Sequence, residues 1–185
     1  MIRLRPNDPN SLEAWDLEYS KELFIRGNRN VYERILYCLK DCTSIFDYGC
    51  GMGELISYLK QNGKTVLGYE RSTLIAKKAM QEHTNIEIVT RMPMYRFDAV
   101  LCCEVLEHTE NPFELAVFLE SLAKNRIILT VPAEDSAGKS PYHLWLFEEK
   151  DFSTMFSGKV NSMEILPTAG NYLTRIVIID KMIKL

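Results

Sequence analysis

Features that would place this chain at a membrane or on nucleic acid are missing from its sequence. No apolar run approaches the roughly 20 residues of a membrane span. The arginines of the opening MIRLRPNDPN are not followed by the apolar stretch of a signal peptide. Lysine and arginine do not outnumber the acids, at 22 against 25, so no basic field covers the chain. We therefore expect neither a membrane protein nor a protein that captures nucleic acid by broad electrostatic attraction.

Cysteine is also sparse, and its spacing suggests no pairing. Five cysteines occur, an odd number, and no two have the CxxC spacing of zinc or redox motifs. Cys102 and Cys103 are adjacent inside an apolar run, where a free thiol behaves as a small hydrophobe. This usage favours a reducing compartment, and we expect a cytoplasmic protein.

Neither repeats nor a linker divides the 185 residues. Apolar runs rich in β-branched residues alternate with amphipathic segments, which predicts βαβ units and a mostly parallel sheet. Two late runs are joined by a short turn-rich link, so the sheet should end in an antiparallel hairpin. We predict an α/β fold, a doubly wound seven-stranded mixed sheet, in one domain of residues 1–185 whose residues 1–30 form a lid segment.

The expected element boundaries follow from the same patterns. The predicted strands are residues 44–48, 65–69, 86–89, 97–103, 127–131, 160–166 and 173–183. The predicted helices cover residues 11–24, 30–39, 54–61 and 148–156, one that Ser72 caps and that runs to residue 80, and one that begins at Asn111.

The strongest local signal is the turn Asp47-Tyr48-Gly49-Cys50-Gly51-Met52-Gly53, between a predicted strand and a predicted helix. Its glycines let the backbone turn tightly and let a ligand approach closely. A dinucleotide fingerprint, GxGxxG, would need glycine at Glu54, where a carboxylate opposes a pyrophosphate. Asp47, two residues before the first glycine, suits a ligand with a cationic amine instead.

A second acid, Glu70, ends the next predicted strand, 17 residues after Gly53. An acid at this strand tip can accept hydrogen bonds from both hydroxyls of a ribose. A glycine turn can be purely structural, and Glu70 alone could be a solvated strand end. The pairing of Asp47 with Glu70 favours a binding site, because ligands of such sheets bind beyond the carboxyl ends of the strands.

These residues resemble class I S-adenosylmethionine-dependent methyltransferases. DYGCGMG is similar to the first motif of that superfamily, Gly68-Tyr69-Glu70 to its second, and Phe97-Asp98-Ala99-Val100 to the entry of its fourth strand. The resemblance covers residues 30–185 and implies a Rossmann-like methyltransferase fold with S-adenosyl-L-methionine as cofactor. It also implies a set of cofactor-binding residues at the strand ends: Asp47, Gly49, Cys50, Gly51, Gly53, Glu70, Arg71, Met92, Cys103 and Glu104.

One position departs from the superfamily's pattern. Members often carry an acid just after the third strand, where it binds the adenine amino group, whereas this chain reads Val89-Thr90-Arg91-Met92-Pro93. Thr90, backbone groups and packing of Met92 on the adenine ring are the alternatives for this contact.

The run Glu104-Val105-Leu106-Glu107-His108 resembles the loop after the fourth strand in a subgroup that includes ubiquinone-pathway O-methyltransferases. His143, followed by Phe147 and Phe152, resembles a downstream segment of the same subgroup. Histidine titrates near neutral pH, so His108 and His143 are the candidate catalytic bases. The structural alternatives are a helix cap for His108 and an exposed loop position for His143.

Glu104, Glu107, His108 and His143 also admit a metal interpretation. A similar E-x-x-E-H run with a distant histidine binds a divalent ion in small-RNA 3′-terminal ribose methyltransferases, where an ion can polarise two vicinal hydroxyls. EVLEH also occurs in relatives for which no such site is implied. We therefore predict a site without metal.

The predicted function is methyl transfer from S-adenosylmethionine to an oxygen or nitrogen of a small-molecule acceptor. Too few residues separate the fifth strand from the next helix to form a substrate domain, so residues 1–30 and 133–146 should line the acceptor pocket. One alternative is a cofactor-binding protein without catalytic activity, such as a regulator or an inactive partner subunit. The other is an RNA methyltransferase with a metal-assisted site.

Overall fold

The computed structural model describes residues 1–20, 28–168 and 172–181. Its strands, in chain order, are β1 Ile2–Arg3, β2 Ser44–Tyr48, β3 Thr65–Tyr69, β4 Ile88–Val89, β5 Phe97–Cys103, β6 Ala123–Pro132, β7 Trp145–Leu146, β8 Lys159–Pro167 and β9 Leu173–Asp180. Its α-helices are α1 Leu12–Ser20, α2 Arg29–Cys38, α3 Glu54–Gln61, α4 Thr73–Glu82, α5 Pro112–Leu122, α6 Glu134–Ala137 and α7 Glu149–Met155. A single 3₁₀ turn covers Leu106–His108.

The main sheet has seven strands in the order β4-β3-β2-β5-β6-β9-β8. The first five of these strands pair in parallel, whereas β9 runs antiparallel to both β6 and β8. The parallel strands therefore end at one common edge, where the loops after β2, β3 and β5 meet. The predicted seven-stranded mixed sheet with its antiparallel end is confirmed.

Helices cover both faces of this sheet, because alternate strand residues point to opposite faces. On one face Phe46, Val100 and Leu129 pack in a core cluster with residues of α5 and α7. On the other face Ile45 and Leu101 pack with residues of α2, α3 and α4. Each face thus buries its own apolar layer, as in a doubly wound fold.

Polar residues fix where the helices begin. The side chain of Asn28 accepts a hydrogen bond from the backbone of Asn30 at the start of α2. Ser72 accepts from Ile75 N at 3.1 Å to cap α4. Asn111 caps α5, whose first residue is a proline. These starts hold the loops that lead into them in defined positions at the sheet edge.

Two boundaries differ from the sequence prediction for local reasons. β4 starts at Ile88 rather than at residue 86, because Ile86 N donates to His83 O in the turn after α4. β6 starts at residue 123 rather than 127, because Ala123 pairs with β5 and Arg126 pairs with both β5 and β9.

The sequence prediction missed the short ribbon in which β1 pairs antiparallel with β7. The predicted first helix is seen as α1 to Ser20, and its remainder to residue 24 lies outside the described residues. No helix in the described part of the chain is both long and apolar enough to cross a bilayer.

Candidate active site

A cleft of about 890 Å³ opens at the carboxyl ends of the parallel strands. The loops after β2, β3 and β5 form its base, and the N-terminal segment, residues 1–20, lies along one side. Ten of the twelve predicted site residues line it: Asp47, Gly49, Cys50, Gly51, Glu70, Arg71, Cys103, Glu104, His108 and His143. The structure therefore brings the residues predicted to bind a cofactor and the two histidines into one cavity.

Gly53 and Met92 are the predicted site residues that do not line the cleft. Gly53 precedes α3 with a φ of +76°, and a Cβ atom there would lie 2.5 Å from Ile86 Cδ1. In the structure Gly53 lets the start of α3 pack closely against Ile86. Met92 packs against a core cluster on one face of the sheet. This placement gives no support to its predicted contact with an adenine ring.

The glycine turn needs left-handed backbone at the cleft wall. Gly49 and Gly51 have φ values of +74° and +53°, which residues with a Cβ rarely adopt. A Cβ on Gly51 would collide with the Tyr19 hydroxyl. The turn is held by Tyr69 O, which accepts from Gly49 N at 2.9 Å and Cys50 N at 3.0 Å. The backbone of the glycine turn is therefore part of the cleft wall.

Asp47 lies at the base of the cleft and is only 2% exposed. Burial raises the pKa of its carboxyl from 3.8 to about 7. Among the described residues no hydrogen-bond donor or cation offsets this burial. Such an acid is a natural partner for a ligand that brings its own positive charge.

Glu70 is also buried, and both of its carboxyl oxygens contact backbone donors. Ser72 N donates to Oε1 at 2.8 Å, and Gly51 N donates to Oε2 at 3.3 Å. Burial raises the pKa of Glu70, and these hydrogen bonds oppose the rise. Each oxygen keeps a further lone pair. The neighbouring Arg71 donates to Asn10 O at 2.7 Å and so ties the N-terminal segment to the site.

Glu104 follows β5 in a strained backbone conformation. Its φ of +54° is the one positive value among the described non-glycine residues, and such strain concentrates at functional sites. The side chain is open to the cleft. Removal from bulk water raises the pKa of Glu104 to about 7, and Thr130 and Thr174 partly offset this by hydrogen bonding.

The two predicted cysteine contacts, Cys50 and Cys103, are neutral thiols. Burial raises the pKa of both well above the usual range, and the nearby Asp47 adds to the rise. Both therefore contribute as small polarisable groups rather than as thiolates.

His108 and His143 lie side by side, with ring centroids 4.9 Å apart. His108 Nδ1 is 3.0 Å from Tyr142 O. A carbonyl oxygen only accepts, so this contact assigns the proton to Nδ1 and leaves the Nε2 lone pair free. Burial, and secondly the neighbouring His143, lower the pKa of His108 to about 3. His108 is therefore neutral at pH 7 and a weaker base than an unperturbed histidine.

Glu107, which the sequence analysis considered only as a candidate metal ligand, lies beside the two histidines and is fully buried. Neither carboxyl oxygen has a hydrogen bond of normal geometry among the described residues, although the Glu104 carboxyl interacts with it. Its Oε1 is 3.6 Å from His108 Nε2, and ligand-type atoms of Glu107, His108 and His143 all lie within 4.8 Å of one another. Burial and the nearby Glu104 raise the pKa of Glu107 well above its usual range.

Sequence comparison assigns the family to which these features belong. Residues 19–160 match the methyltransferase-domain family. The chain belongs to that family. The match covers the glycine turn, both strand-end acids and both histidines of the site.

Two curated methyltransferases resemble parts of this methyltransferase domain. Magnesium-protoporphyrin O-methyltransferase of Synechocystis is 31% identical over 98 residues, covering 46% of this chain and 43% of that protein. (S)-coclaurine N-methyltransferase of Thalictrum flavum is 28% identical over 158 residues, covering 75% of this chain and 42% of that protein. The chain thus spans less than half the length of these relatives.

The methyltransferase fold is shared with solved structures. Magnesium protoporphyrin IX methyltransferase from Synechocystis, crystallised with bound S-adenosylmethionine, superposes with a TM-score of 0.73 at 19% identity. The match covers 90% of this chain and 91% of the crystallised one. At this identity the likeness establishes the fold.

The N-terminal segment completes the site of this methyltransferase domain. The β1–β7 ribbon attaches its start, and Asn10 Nδ2 donates to Tyr142 O at 3.0 Å, the carbonyl that also orients His108. Trp15 packs edge-on against His108 at 4.9 Å and lies 5.2 Å from the Tyr142 ring. From the sequence, residues 1–30 and 133–146 were expected to line the acceptor pocket, but these contacts were not specified.

Proposed function

We propose that the protein binds S-adenosylmethionine at the carboxyl ends of β2, β3 and β5 and transfers its methyl group to an oxygen or nitrogen of a small molecule. The observation that carries the proposal is the presence of Asp47, the glycine turn and Glu70 in one cleft of a methyltransferase-family domain. When bound, the cofactor supplies a methyl group already activated on a sulfonium. The protein's own tasks are binding, orientation and removal of a proton.

The residues of the cleft fit this cofactor. Asp47 would pair with the cationic amine, which restores to the buried acid the charge partner it lacks. Gly49 and Gly51 supply the left-handed backbone of the turn, and Gly51 N holds the Glu70 carboxylate at the cleft. Glu70 keeps one lone pair on each oxygen for the ribose hydroxyls, beside the two backbone bonds that hold it in place.

Three side chains are candidates for the base. Sequence spacing favours His108 and His143, and the cleft adds Glu104. A base works best when its pKa is near the working pH, which favours Glu104 with a pKa of about 7 over His108 with a pKa of about 3. We assign Glu104 as the principal candidate, His143 as the second, and to His108 the task of orienting the acceptor as a neutral hydrogen-bonding group.

The acceptor side of the cleft favours a small molecule. It is enclosed by Trp15 and Glu18 of the N-terminal segment and by residues 139–143. Among the described lining residues acidic side chains outnumber the permanently basic ones, which disfavours a chain of phosphates. These features support a compact acceptor rather than a nucleic acid.

Binding of S-adenosylhomocysteine tests the proposal, with Glu70→Gln as the decisive variant. We expect the wild-type protein to bind S-adenosylhomocysteine at micromolar concentration and NAD far more weakly in calorimetry. Glutamine removes the charge from hydrogen bonds that are worth about 1.5–3 kcal/mol each, so Kd should rise at least about tenfold. Glutamine has one acceptor oxygen in place of two, so it can keep the bond from Ser72 N but loses the longer one from Gly51 N, and the thermal unfolding midpoint without ligand should fall slightly.

Glu87→Gln is the matched control, because Glu87 is exposed and lies outside the cleft. Its Kd should equal that of the wild type. Tighter binding of NAD than of S-adenosylhomocysteine would contradict the cofactor proposal. Equal affinities for Glu70→Gln and Glu87→Gln would leave Glu70 as a purely structural group.

A second candidate, metal-assisted transfer, is favoured by the cluster of Glu107, His108 and His143. The Glu107 carboxyl is fully buried and has no hydrogen bond of normal geometry among the described residues, which suits it to bind a cation. The bond from His108 Nδ1 to a carbonyl is the usual support of a metal-ligating imidazole. One carboxylate with two imidazoles suits ions such as Mn²⁺, Fe²⁺ or Zn²⁺. Such an ion would supply Lewis-acid polarisation of an acceptor oxygen.

Titration with MnCl₂, followed by electron paramagnetic resonance, tests the metal. If the cluster holds an ion, the wild type should bind one Mn²⁺ and Glu107→Gln should bind at least about tenfold more weakly, since the charged ligand is gone. Glu114→Gln, an exposed change at the start of α5, should bind like the wild type. Absence of Mn²⁺ binding, together with full turnover in EDTA, would exclude the metal-assisted mechanism.

A further inference from the structure

The charge of the cleft is one-sided. Among the described lining residues seven carry carboxyl groups and two carry permanent positive charges, Arg71 and Lys139. The seven acids are Asp8, Glu18, Asp47, Glu54, Glu70, Glu104 and Glu110. Glu110 is paired with Arg3, and Asp47 and Glu70 are assigned to the cofactor, so four acids stand against the two basic residues. Arg71 already donates to two backbone carbonyls, and the Lys139 Nζ lies 5.3 Å from the ring centroid of Tyr172.

This charge distinguishes between classes of acceptor. Phenols and carboxylic acids react with a methyl donor as anions, which a cleft lined with carboxylates repels. An amine enters as a cation, which the same cleft attracts, and reacts as a neutral molecule after it has lost one proton. Focused negative potential in a cleft raises the local concentration of cations.

The wall formed by the N-terminal segment also suits a cation. The rings of Trp15 and Tyr142 lie 5.2 Å apart, and Tyr19 is 6.1 Å from Trp15. Aromatic faces attract ammonium groups within about 6 Å. The Tyr142 hydroxyl donates to Glu18 Oε2 at 3.1 Å, which places a carboxylate on the same wall. Two aromatic rings, Trp15 and Tyr142, and the Glu18 carboxylate thus lie on one wall of the cleft.

We infer that the acceptor is a primary or secondary aliphatic amine that enters the cleft as its ammonium ion, against Trp15, Tyr142 and Glu18. The inference rests on the methyl transfer proposed above and narrows its acceptor. The ammonium gives one proton to a carboxylate of the cleft, and the nitrogen lone pair forms the new N–C bond. The S–CH₃ bond breaks with its electron pair left on sulfur, which yields S-adenosylhomocysteine and a methylated ammonium ion.

Matched probe sets test the inference directly. Each set has one carbon frame carrying an amine, an alcohol or a carboxylate, with 2-phenylethylamine, 2-phenylethanol and 3-phenylpropanoate as one set. We expect amines to bind the S-adenosylhomocysteine-loaded protein at least about tenfold more tightly than their partners, and mass spectrometry to find the methyl group on nitrogen. Preference for carboxylates or phenols, or equal binding of all three classes, would overturn the inference.

The experiments distinguish failure of the proposed function from failure of the amine inference. S-adenosylhomocysteine is titrated alone first, and absence of its binding refutes the proposed function. Binding of S-adenosylhomocysteine together with methylation of oxygen acceptors keeps the proposed function and refutes the amine.

Glu18→Gln provides the residue-level test. Glutamine still accepts from the Tyr142 hydroxyl but carries no charge, so KM for amines should rise about three- to tenfold with kcat nearly unchanged. KM for an alcohol acceptor should stay constant. Glu13→Gln is the control, since Glu13 lies on the same helix but is exposed and outside the cleft. An unchanged KM for amines in Glu18→Gln would remove Glu18 from the acceptor site.

Discussion

Replacing Glu104 by glutamine is expected to lower turnover by about 10²–10⁴-fold, the usual range for loss of a general base. Glutamine preserves the size of the side chain and its capacity to bond with Thr130, but it cannot take a proton. S-adenosylhomocysteine should still bind with a Kd within about threefold of the wild type. The measurement is kcat by release of S-adenosylhomocysteine, with the best acceptor from the probe sets.

The pH dependence distinguishes Glu104 from His108. A base acts when deprotonated, so a pKa of about 7 predicts that wild-type kcat rises through neutral pH and then levels off. A base with the pKa of His108, about 3, would already be deprotonated and would give a flat profile from about pH 5 upward. If kcat/KM also changes around the pKa of the amine, that change reports ionisation of the free acceptor.

The histidine variants complete this test. His143→Ala and His108→Ala should lower turnover less than Glu104→Gln if the assignment is correct, and His83→Ala, outside the cleft, should not lower it. If a histidine variant loses the most turnover and Glu104→Gln keeps full activity, the catalytic base is a histidine. If no acceptor is turned over while S-adenosylhomocysteine binds tightly, the protein is a cofactor-binding regulator or an inactive partner subunit.

Asp47→Asn is expected to stabilise the ligand-free protein at pH 8 while it weakens cofactor binding. The folded pKa of Asp47, about 7, is raised above the unfolded value of 3.8. Its stabilising contribution is therefore full below about pH 4 and is lost as the pH rises towards 7. At 1.36 kcal/mol per pKa unit, asparagine should raise the free energy of unfolding at pH 8 by about 2–4 kcal/mol. Urea unfolding at pH 5 and pH 8 measures the difference.

Asp98→Asn is the control with the opposite sign. Asp98 accepts backbone hydrogen bonds from Thr43 and Ser44, and these bonds lower its pKa to about 2. Its stabilising contribution is present above the unfolded pKa and is lost as the pH falls, so asparagine should destabilise the protein at pH 8. Equal stability of Asp47→Asn and the wild type at both pH values would mean that Asp47 has a normal pKa. A group that costs stability unless a ligand is present is typical of a binding site.

The fold could be predicted because its signals are local. β2, β3 and β5 were predicted with the bounds that the structure shows, since each is a short apolar run closed by a turn. The glycine turn and Glu70 belong to the ends of those strands, so their meeting follows from parallel pairing alone. Most residues on the proposed cofactor side of the cleft therefore lie in short continuous segments that can be recognised in the sequence.

The acceptor side is built from contacts between distant residues, and those have no local signature. The pairing of Ile2 with Leu146 involves two residues on each strand, too few for a pattern of alternation. The bond from Asn10 to Tyr142 O joins residues 132 positions apart. The altered pKa values of Glu104 and His108 depend on burial by the whole fold, so sequence spacing favoured the histidines as bases and placed Glu104 only among the cofactor contacts.

The two sides of the cleft are built from different parts of the chain, and the Tyr142 carbonyl connects them by bonding to both Asn10 and His108. Each side can therefore change in evolution largely on its own. The proposed cofactor contacts lie at the sheet edge, where each change would disturb strand packing as well as binding. Trp15 and Glu18, by contrast, belong to a peripheral segment fastened by a two-residue ribbon and a few polar bonds. Acceptor preference can thus diverge among descendants of one ancestral domain by replacement of that segment, while the cofactor remains the same.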